Sequence, residues 1–249
     1  MVEQVPSSAW PACLQSLGLS PHAPYSTPET LWRDVARLAV RQHRLVAMHM
    51  VESPAERQWI DDGTGPFADL HARLGVPDFA RSPTLIIDAC RALAQAPHAL
   101  VIHGNYLTES EMDAIAMHRK NLSVVFCPRT HQHFRHSEYP LEALLSRGIR
   151  VVLGTDSRSS NPDLNLWQEA RAALAQHSAL RPSQALSAIT AQAAEAIGYE
   201  AHFGTLRPGS VAALNAIPLE PLVRELDAAN IEEVFAGWFQ NVAHPIAIS

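Results

Sequence analysis

The stretch "VVLGTDSRSSNPDLNLW", residues 151–167, indicates the fold class of this chain. A short apolar run, Val151–Leu153, stops at Gly154, and the carboxylate Asp156 follows before a polar loop. Such a run is typical of a buried strand that ends in a loop. In a parallel α/β barrel the active site lies at the C-terminal end of every strand. The stretch therefore predicts that Asp156 stands at a site of chemistry.

Four other strand-like runs end in the same way. Strand-like and helix-like segments alternate along the chain, which favours βαβ units and a parallel sheet. Polar residues follow the ends of five predicted strands: His22, His49, His103, Arg129 with His131, and Asp156. A (β/α)8 barrel is often about 250 residues long. The fold class is therefore predicted to be α/β, of the TIM-barrel type.

Composition limits the partners and the compartment. Apolar residues make up 47% of the 249 residues, which is enough for a sizeable core. The net charge of −6 gives no sign of nucleic acid or an anionic membrane as partner. No apolar run approaches the ~18 residues of a membrane span, and the first residues do not resemble a signal peptide. The three scattered cysteines are typical of reduced thiols, so a cytoplasmic location is expected.

Each polar strand end also has an ordinary structural interpretation. His49 could be a hydrogen-bonding loop residue, Glu52 a helix cap, and Asp156 the first residue of an Asx turn. Repetition of polar residues at one kind of position favours function instead. The chemistry that fits is metal-assisted hydrolysis, with histidine and aspartate as ligands and a glutamate to move protons. His131 and His133 form a His-x-His pair, but a loop is predicted after Pro128.

Five motifs, in this order, resemble the amidohydrolase superfamily: "SPHAPYS", "HMVES", "VIHGNYL", "CPRTHQHF" and "LGTDSRSSNPDLNLW". The closest subgroup is the cytosine deaminase-like and chlorohydrolase-like branch. "DGTGPF" and "CPRTH" are most similar to aminofutalosine deaminase-like members, and S-adenosylhomocysteine deaminase-like members belong to the same branch. The resemblance covers roughly residues 17–215.

The resemblance implies a role for each matching residue. The metal ligands would be His49 and Asp156, the catalytic residues Glu52, His103 and Asp156, and the substrate-binding residues His22, Arg129 and His131. In these roles Asp156 would also be the general base, Glu52 the proton shuttle, and His103 a contact to the substrate or the attacking water. The cofactor would be Zn²⁺, with Fe²⁺ as the alternative, since histidine and aspartate suit both ions.

The implied activity is hydrolysis of a non-peptide C–N bond in a small molecule. A metal-bound hydroxide would attack the ring carbon of a purine-like heterocyclic amine and release ammonia. One alternative is a chlorohydrolase or cyclic-amide hydrolase that uses the same site. Another is a catalytically impaired remnant that acts as a binding protein.

The family's first barrel strand ends in a His-x-His pair, and no such pair precedes His22. Only 21 residues lie before His22, too few for three βα units of about 30 residues each. The expectation is therefore a partial barrel over residues 1–205, with strands 4–8 present and the first strands missing. Residues 206–249 are expected to return to a small β-sandwich domain. Unpaired sheet edges would need to be covered, so a homo-oligomer is one expectation. The sequence does not decide whether this chain is active alone.

Overall fold

A computed structural model describes residues 18–75, 81–217, 231–242 and 245–248. The strands are β1 (Val46–Met50), β2 (Ala99–His103), β3 (Leu122–Phe126), β4 (Val151–Leu153), β5 (Leu214–Ala216) and β6 (Ile246–Ile248). The helices are α1 (Glu29–Arg41), α2 (Pro54–Asp62), α3 (Pro66–Leu74), α4 (Leu85–Leu93), α5 (Glu109–Met117), α6 (Pro128–His133), α7 (Leu141–Ser146), α8 (Leu166–Gln176), α9 (Pro182–Ala188), α10 (Ala191–Ala196) and α11 (Ile231–Asn241).

The main sheet is parallel, and its strands lie in chain order from β1 to β4. Leu19 adds a parallel bridge to Val46 at the β1 edge, ahead of the loop that carries His22. In the register of β1 and β2, Met50 lies beside His103. The carboxyl ends of neighbouring strands therefore lie side by side, as in a barrel. The predicted α/β fold of the TIM-barrel type is confirmed.

The two faces of this sheet have different surroundings. One face packs against the helices and contributes Met48, Val101, Val124 and Phe126 to the main core. The other, inner face holds a smaller cluster of Leu100, Val125, Cys127, Val152 and Ala196. Alternate side chains of a strand point to opposite faces, so each strand serves both cores. Ala47 packs against this smaller cluster, and His49 follows it by two positions in β1. His49 therefore lies on the same inner face as Ala47.

Local sequence signals begin several helices. Thr108 and Glu111 form a capping box at the start of α5, with both reciprocal hydrogen bonds present. Ser53 caps α2, because its side chain accepts a hydrogen bond from the Glu56 N–H. The prediction of a loop after Pro128 was wrong, because this segment forms helix α6. A proline suits the first helical turn, where its missing N–H has no helical partner to lose.

The C-terminal part contains both helix and strand. Helix α11 packs on α8 and α9. Trp167 of α8 stacks on Phe239 of α11, with ring centroids 4.2 Å apart. The Trp167 indole N–H donates a hydrogen bond to the Val242 carbonyl at 2.7 Å. β5 and β6 form a separate antiparallel pair. The division of the chain at residue 205 stays a prediction. Within the part of the chain that the structure describes, each helix is too short or too polar to cross a membrane.

Candidate metal centre

Three side chains from three strand ends converge at the carboxyl end of the sheet. His49 lies in β1, His103 ends β2, and Asp156 follows β4. One ligand atom of each residue lies within 4.8 Å of the other two. The parallel register brings these distant residues together, because it aligns the carboxyl ends of the strands. Two imidazoles and a carboxylate are donors that suit Zn²⁺ or Fe²⁺.

His49 is oriented by the loop before it. Its backbone N–H donates to the His22 carbonyl at 2.7 Å, and its Nδ1 lies 3.0 Å from the same oxygen. A carbonyl can only accept, so Nδ1 carries the proton and Nε2 keeps a lone pair for a metal. The His22 ring lies 5.3 Å from that of His49 and bonds Ser26 through Nδ1. The predicted substrate contact His22 is therefore adjacent to the centre.

Glu52 lies beside the converging residues. Its Oε2 is 3.6 Å from His103 Nε2. Its backbone is fixed on both sides, since Asn105 donates to the Glu52 carbonyl at 2.8 Å and the Glu52 N–H donates to Glu56 at 2.9 Å. Burial and the charge of Asp156 raise the pKa of Glu52, and His49 opposes them. This position suits a group that moves protons next to the centre.

Asp156 is held by a short hydrogen-bond chain. Its Oδ2 accepts from the Ser160 hydroxyl at 2.7 Å, and Ser160 lies 3.0 Å from the Thr130 hydroxyl. One carboxylate oxygen is thus fixed while the carboxylate remains near both histidines. A ligand supported in this way keeps its orientation when it binds a metal or accepts a proton.

His103 is the most buried member of the group, with 2% of its surface exposed. Burial and the neighbouring His49 lower the pKa of His103, against the opposing charge of Asp156. A low pKa keeps the imidazole neutral, which a metal ligand requires. The Tyr139 hydroxyl donates to the His103 carbonyl at 3.0 Å and fixes the strand end from the helix-packed side.

The backbone at three of these positions lies in the left-handed region. φ is 28° at His22, 68° at His103 and 56° at Asp156. Residues other than glycine seldom adopt such φ values. Each such residue lowers the stability of the folded state by about 1 kcal/mol or more. These turns re-aim the strand ends. Surrounding hydrogen bonds, such as those to His103 and Asp156, hold them in place.

Arg129 and His131 have other partners in the structure. The Arg129 guanidinium pairs with Asp163 at 2.6 Å, and its backbone N–H donates to the buried Glu169 at 3.0 Å. His131 is buried, with its ring 5.7 Å from Phe126. Their predicted substrate-binding roles stay predictions.

Sequence reasoning missed three supporting residues: Asn105, Glu56 and Ser160. Asn105 directly follows the "HG" of a predicted strand end, so its position was a usable signal. Ser160 was visible only as one of several serines after Asp156. Glu56 looked like an ordinary residue of the first turn of α2, although its side chain is fully buried. Burial raises the pKa of Glu56 to about 7.

Comparison with known proteins finds a family and related chains. A family model described as the amidohydrolase family matches residues 12–243. An aminodeoxyfutalosine deaminase of Nitratiruptor sp. is 31% identical over 158 residues, which cover 63% of this chain and 37% of that protein. The chain thus spans about two fifths of the length of this curated relative.

Two solved structures share the fold. The crystal structure of Helicobacter pylori aminofutalosine deaminase has a TM-score of 0.78 at 22% identity, and the match covers 94% of this chain and 59% of that one. An adenosine deaminase of Xanthomonas campestris, solved with bound zinc, has a TM-score of 0.62 at 26% identity. That match covers 83% of this chain and 44% of the other.

Proposed function

This chain belongs to the amidohydrolase family, and we propose that it deaminates a purine-like heterocyclic amine by hydrolysis of a C–N bond. The observation that carries the proposal is the convergence of His49, His103 and Asp156 within 4.8 Å. Glu52 adds a proton-transfer group 3.6 Å from His103. This combination of donors and a neighbouring carboxylic acid is what metal-assisted hydrolysis requires.

The donor set fits a divalent transition metal, and we take zinc as the ion. His49, His103 and Asp156 would hold it, with His49 offering Nε2 because Nδ1 faces a carbonyl. The zinc in the related adenosine deaminase supports this choice. When bound, zinc acts as a Lewis acid and lowers the pKa of a water to about 7.

The side chains of the centre divide the proton transfers. Asp156 accepts the proton that the attacking water loses as its oxygen bonds to the ring carbon. Glu52 delivers a proton to the ring nitrogen beside that carbon. Asp156 then passes its proton to the amine, which leaves as ammonia when the C–N bond breaks, and the proton of the new hydroxyl group returns to Glu52 as the carbonyl forms. Ser160 fixes Asp156, and Asn105 fixes the backbone of Glu52, so both carboxyls keep their positions.

The class of amine is inferred from the relatives. The names of the three proteins compared above all describe deaminases, one of them of adenosine. Deamination is the chemistry that these names share, and the adenosine named in one of them is the basis for a purine-like amine with a nucleoside substituent as the substrate.

The test is ammonia release by the zinc-loaded chain from adenosine, S-adenosylhomocysteine, guanine and cytosine, with a chlorotriazine in the same panel. We expect release from an adenosine-type compound at the highest kcat/KM. Asp163→Asn serves as the control for Asp156→Asn, because Asp163 is a nearby carboxylate that pairs with Arg129. Chloride release alone, or equal rates in wild type and Asp156→Asn, would refute the proposal.

A further inference from the structure

The turn after β1 places Glu52 on the side of the sheet opposite to the one that the strand pattern predicts. Alternate side chains of a strand point to opposite faces, so residue 51 should share the inner face with His49, and residue 52 should enter the helix-packed core. Val51 instead packs in the main core together with Met50. Glu52 lies 3.6 Å from His103 at the metal centre. The alternation is therefore reversed at Val51.

The reversal comes from a left-handed backbone at Val51, whose φ is 45°. A β-branched residue rarely takes this conformation, because its side chain crowds the neighbouring carbonyl. Such residues persist only where surrounding contacts hold them, and they are concentrated at functional sites. The Val51 side chain is fully buried, and its carbonyl accepts from the Tyr106 N–H at 3.1 Å. These contacts hold the carbonyl side of the turn, and its N–H groups need a partner of their own.

Glu56 supplies that partner from the first turn of α2. Its Oε2 accepts from the Glu52 N–H at 2.9 Å. Burial raises the pKa of Glu56 to about 7, and hydrogen bonds from the backbone of Glu52 and Val51 act against this rise. Both N–H groups of the turn thus bond one fully buried carboxyl group.

A comparison with Glu111 separates this contact from ordinary helix capping. Both glutamates are buried, and each is the third residue of its helix. Glu111 bonds the N–H of its own cap residue, Thr108, at 2.8 Å, as in other capping boxes. Glu56 instead reaches the residue before its cap Ser53, and its Oε1 is buried without a hydrogen-bond partner within the ranges that the structure describes. A buried polar atom of this kind lowers stability, so capping does not account for Glu56.

We propose that Glu56 is a positioning residue that holds Glu52 at the metal centre by bonding both N–H groups of the left-handed turn. This inference rests on the proposed deaminase function. Without the carboxyl oxygen, Val51 would relax toward the extended backbone of β1, and Glu52 would turn away from His103. A displacement of about 1 Å at a reacting group can lower turnover about 100-fold.

The experiment is a double-mutant cycle between Glu52 and Glu56, with ammonia release from adenosine as the readout. Glu56→Ala should lower kcat about 100-fold and leave KM and the zinc content after dialysis unchanged. Glu56→Gln keeps an oxygen that accepts from the two N–H groups, so it should retain most of the turnover. Glu111→Ala removes the matched carboxyl group at the start of α5 and should leave kcat close to that of wild type. In the Glu52→Gln background, Glu56→Ala should lower kcat little further, because Glu56 acts through Glu52.

A further loss of about 100-fold in that background would overturn the inference, because Glu56 would then act independently of Glu52. An equal fall in kcat for Glu111→Ala, or an unchanged kcat in Glu56→Ala, would also overturn it. Glu56→Met keeps the side-chain volume without an acceptor. It replaces Glu56→Ala if that variant unfolds, and it should show the same losses.

A second measurement separates this inference from the deaminase proposal. If the wild type releases no ammonia, the deaminase proposal fails, and crystal structures of wild type and Glu56→Ala decide the positioning role. Movement of Val51 out of the left-handed region, with Glu52 displaced from His103, would then support the role. An unchanged turn would refute it.

Discussion

The fold brings together two groups of histidines, one at the ends of β1 and β2 and the other around α6 and the end of α8. The first, the site cluster, comprises His49 and His103 with Asp156 and Glu52. The second, the buried cluster, comprises His131, His136 and His177. Within the described residues, His49, His103 and Asp156 of the site cluster are the set whose ligand atoms lie within 4.8 Å of one another. In the buried cluster the Nε2 atoms of all three imidazoles are buried without a hydrogen-bond partner among the residues that the structure describes.

The difference lies in the neighbours of the imidazoles. The site cluster has carboxylates within reach of its rings, whereas the buried cluster surrounds aromatic rings on the helix-packed side of β3. His131 and His177 both contact Phe126, and the His131 and His136 rings lie 5.3 Å apart. Histidine number alone therefore does not identify a metal site. Convergence of lone pairs together with a carboxylate does.

Asp156→Asn is expected to have the largest effect, because it removes both a ligand charge and a proton acceptor from the site cluster. Turnover should fall by roughly 10³-fold or more. The measurements are ammonia release and zinc content after dialysis, with Asp163→Asn as the matched control. Retention of both zinc and turnover in Asp156→Asn would remove the basis for separating the two clusters.

Glu52→Gln should separate binding from catalysis within the site cluster. The amide keeps the shape of the side chain but cannot deliver a proton, so turnover should fall by roughly 10²–10⁴-fold. Zinc content should stay near that of wild type, because Glu52 is not among the converging ligands. Loss of zinc in this variant would instead make Glu52 a ligand.

The buried cluster should make stability depend on pH. Burial lowers the pKa of His131 from 6.5 to about 4 and also lowers those of His136 and His177. The unfolded chain binds these protons below pH 6.5 while the folded chain does not, so this stability is present above that pH and is lost toward pH 4. For His131 alone the loss between pH 7 and pH 5 is about 2 kcal/mol.

Urea unfolding at several pH values measures this dependence. The charged neighbours Glu138 and Glu142 act against the lowered pKa of His177, so His131 is the better residue to vary. His131→Phe should flatten the pH dependence, and His133→Phe, at an exposed position of the same helix, should not. An unchanged slope in His131→Phe would show that the buried cluster is not the source.

The smallest effect of a substitution should come at Tyr106, whose side chain connects the two clusters. The Tyr106 hydroxyl lies 3.1 Å from His136 Nδ1, and Tyr106 follows the site residue His103 by three positions. Tyr106→Phe should lower the free energy of unfolding by about 1 kcal/mol and leave turnover nearly unchanged. Thr108→Ala, which breaks the α5 cap, should cost a similar amount and serves for comparison. A large loss of turnover in Tyr106→Phe alone would indicate that the clusters act together.

The site cluster could be predicted from the sequence because its positions follow from one repeated rule. Each strand ends in polar residues, and parallel strands bring these ends together, so His49, His103 and Asp156 converge as expected. The buried cluster could not be predicted in this way. His177 reaches Phe126 from the far end of α8 through side-chain packing, and local periodicity carries no record of such a pair.

Local chemistry also limited what the sequence could show. Pro128 was interpreted as the end of a structured segment, but it begins α6. Arg129 looked free to line a pocket, whereas the fold pairs it with Asp163 and Glu169. The glycines of "GTGPF" had no visible purpose until the structure placed Phe67 on Tyr25.

The left-handed backbone at His22, His103 and Asp156 has a consequence for redesign of this protein. A search that rewards thermal stability alone would favour glycine or asparagine at these positions, since either relieves the backbone cost. The same substitutions would delete two imidazoles and a carboxylate from the strand ends. Thermostabilising libraries should therefore hold these three codons fixed, because selection for heat resistance would otherwise first remove the side chains proposed for substrate binding and catalysis.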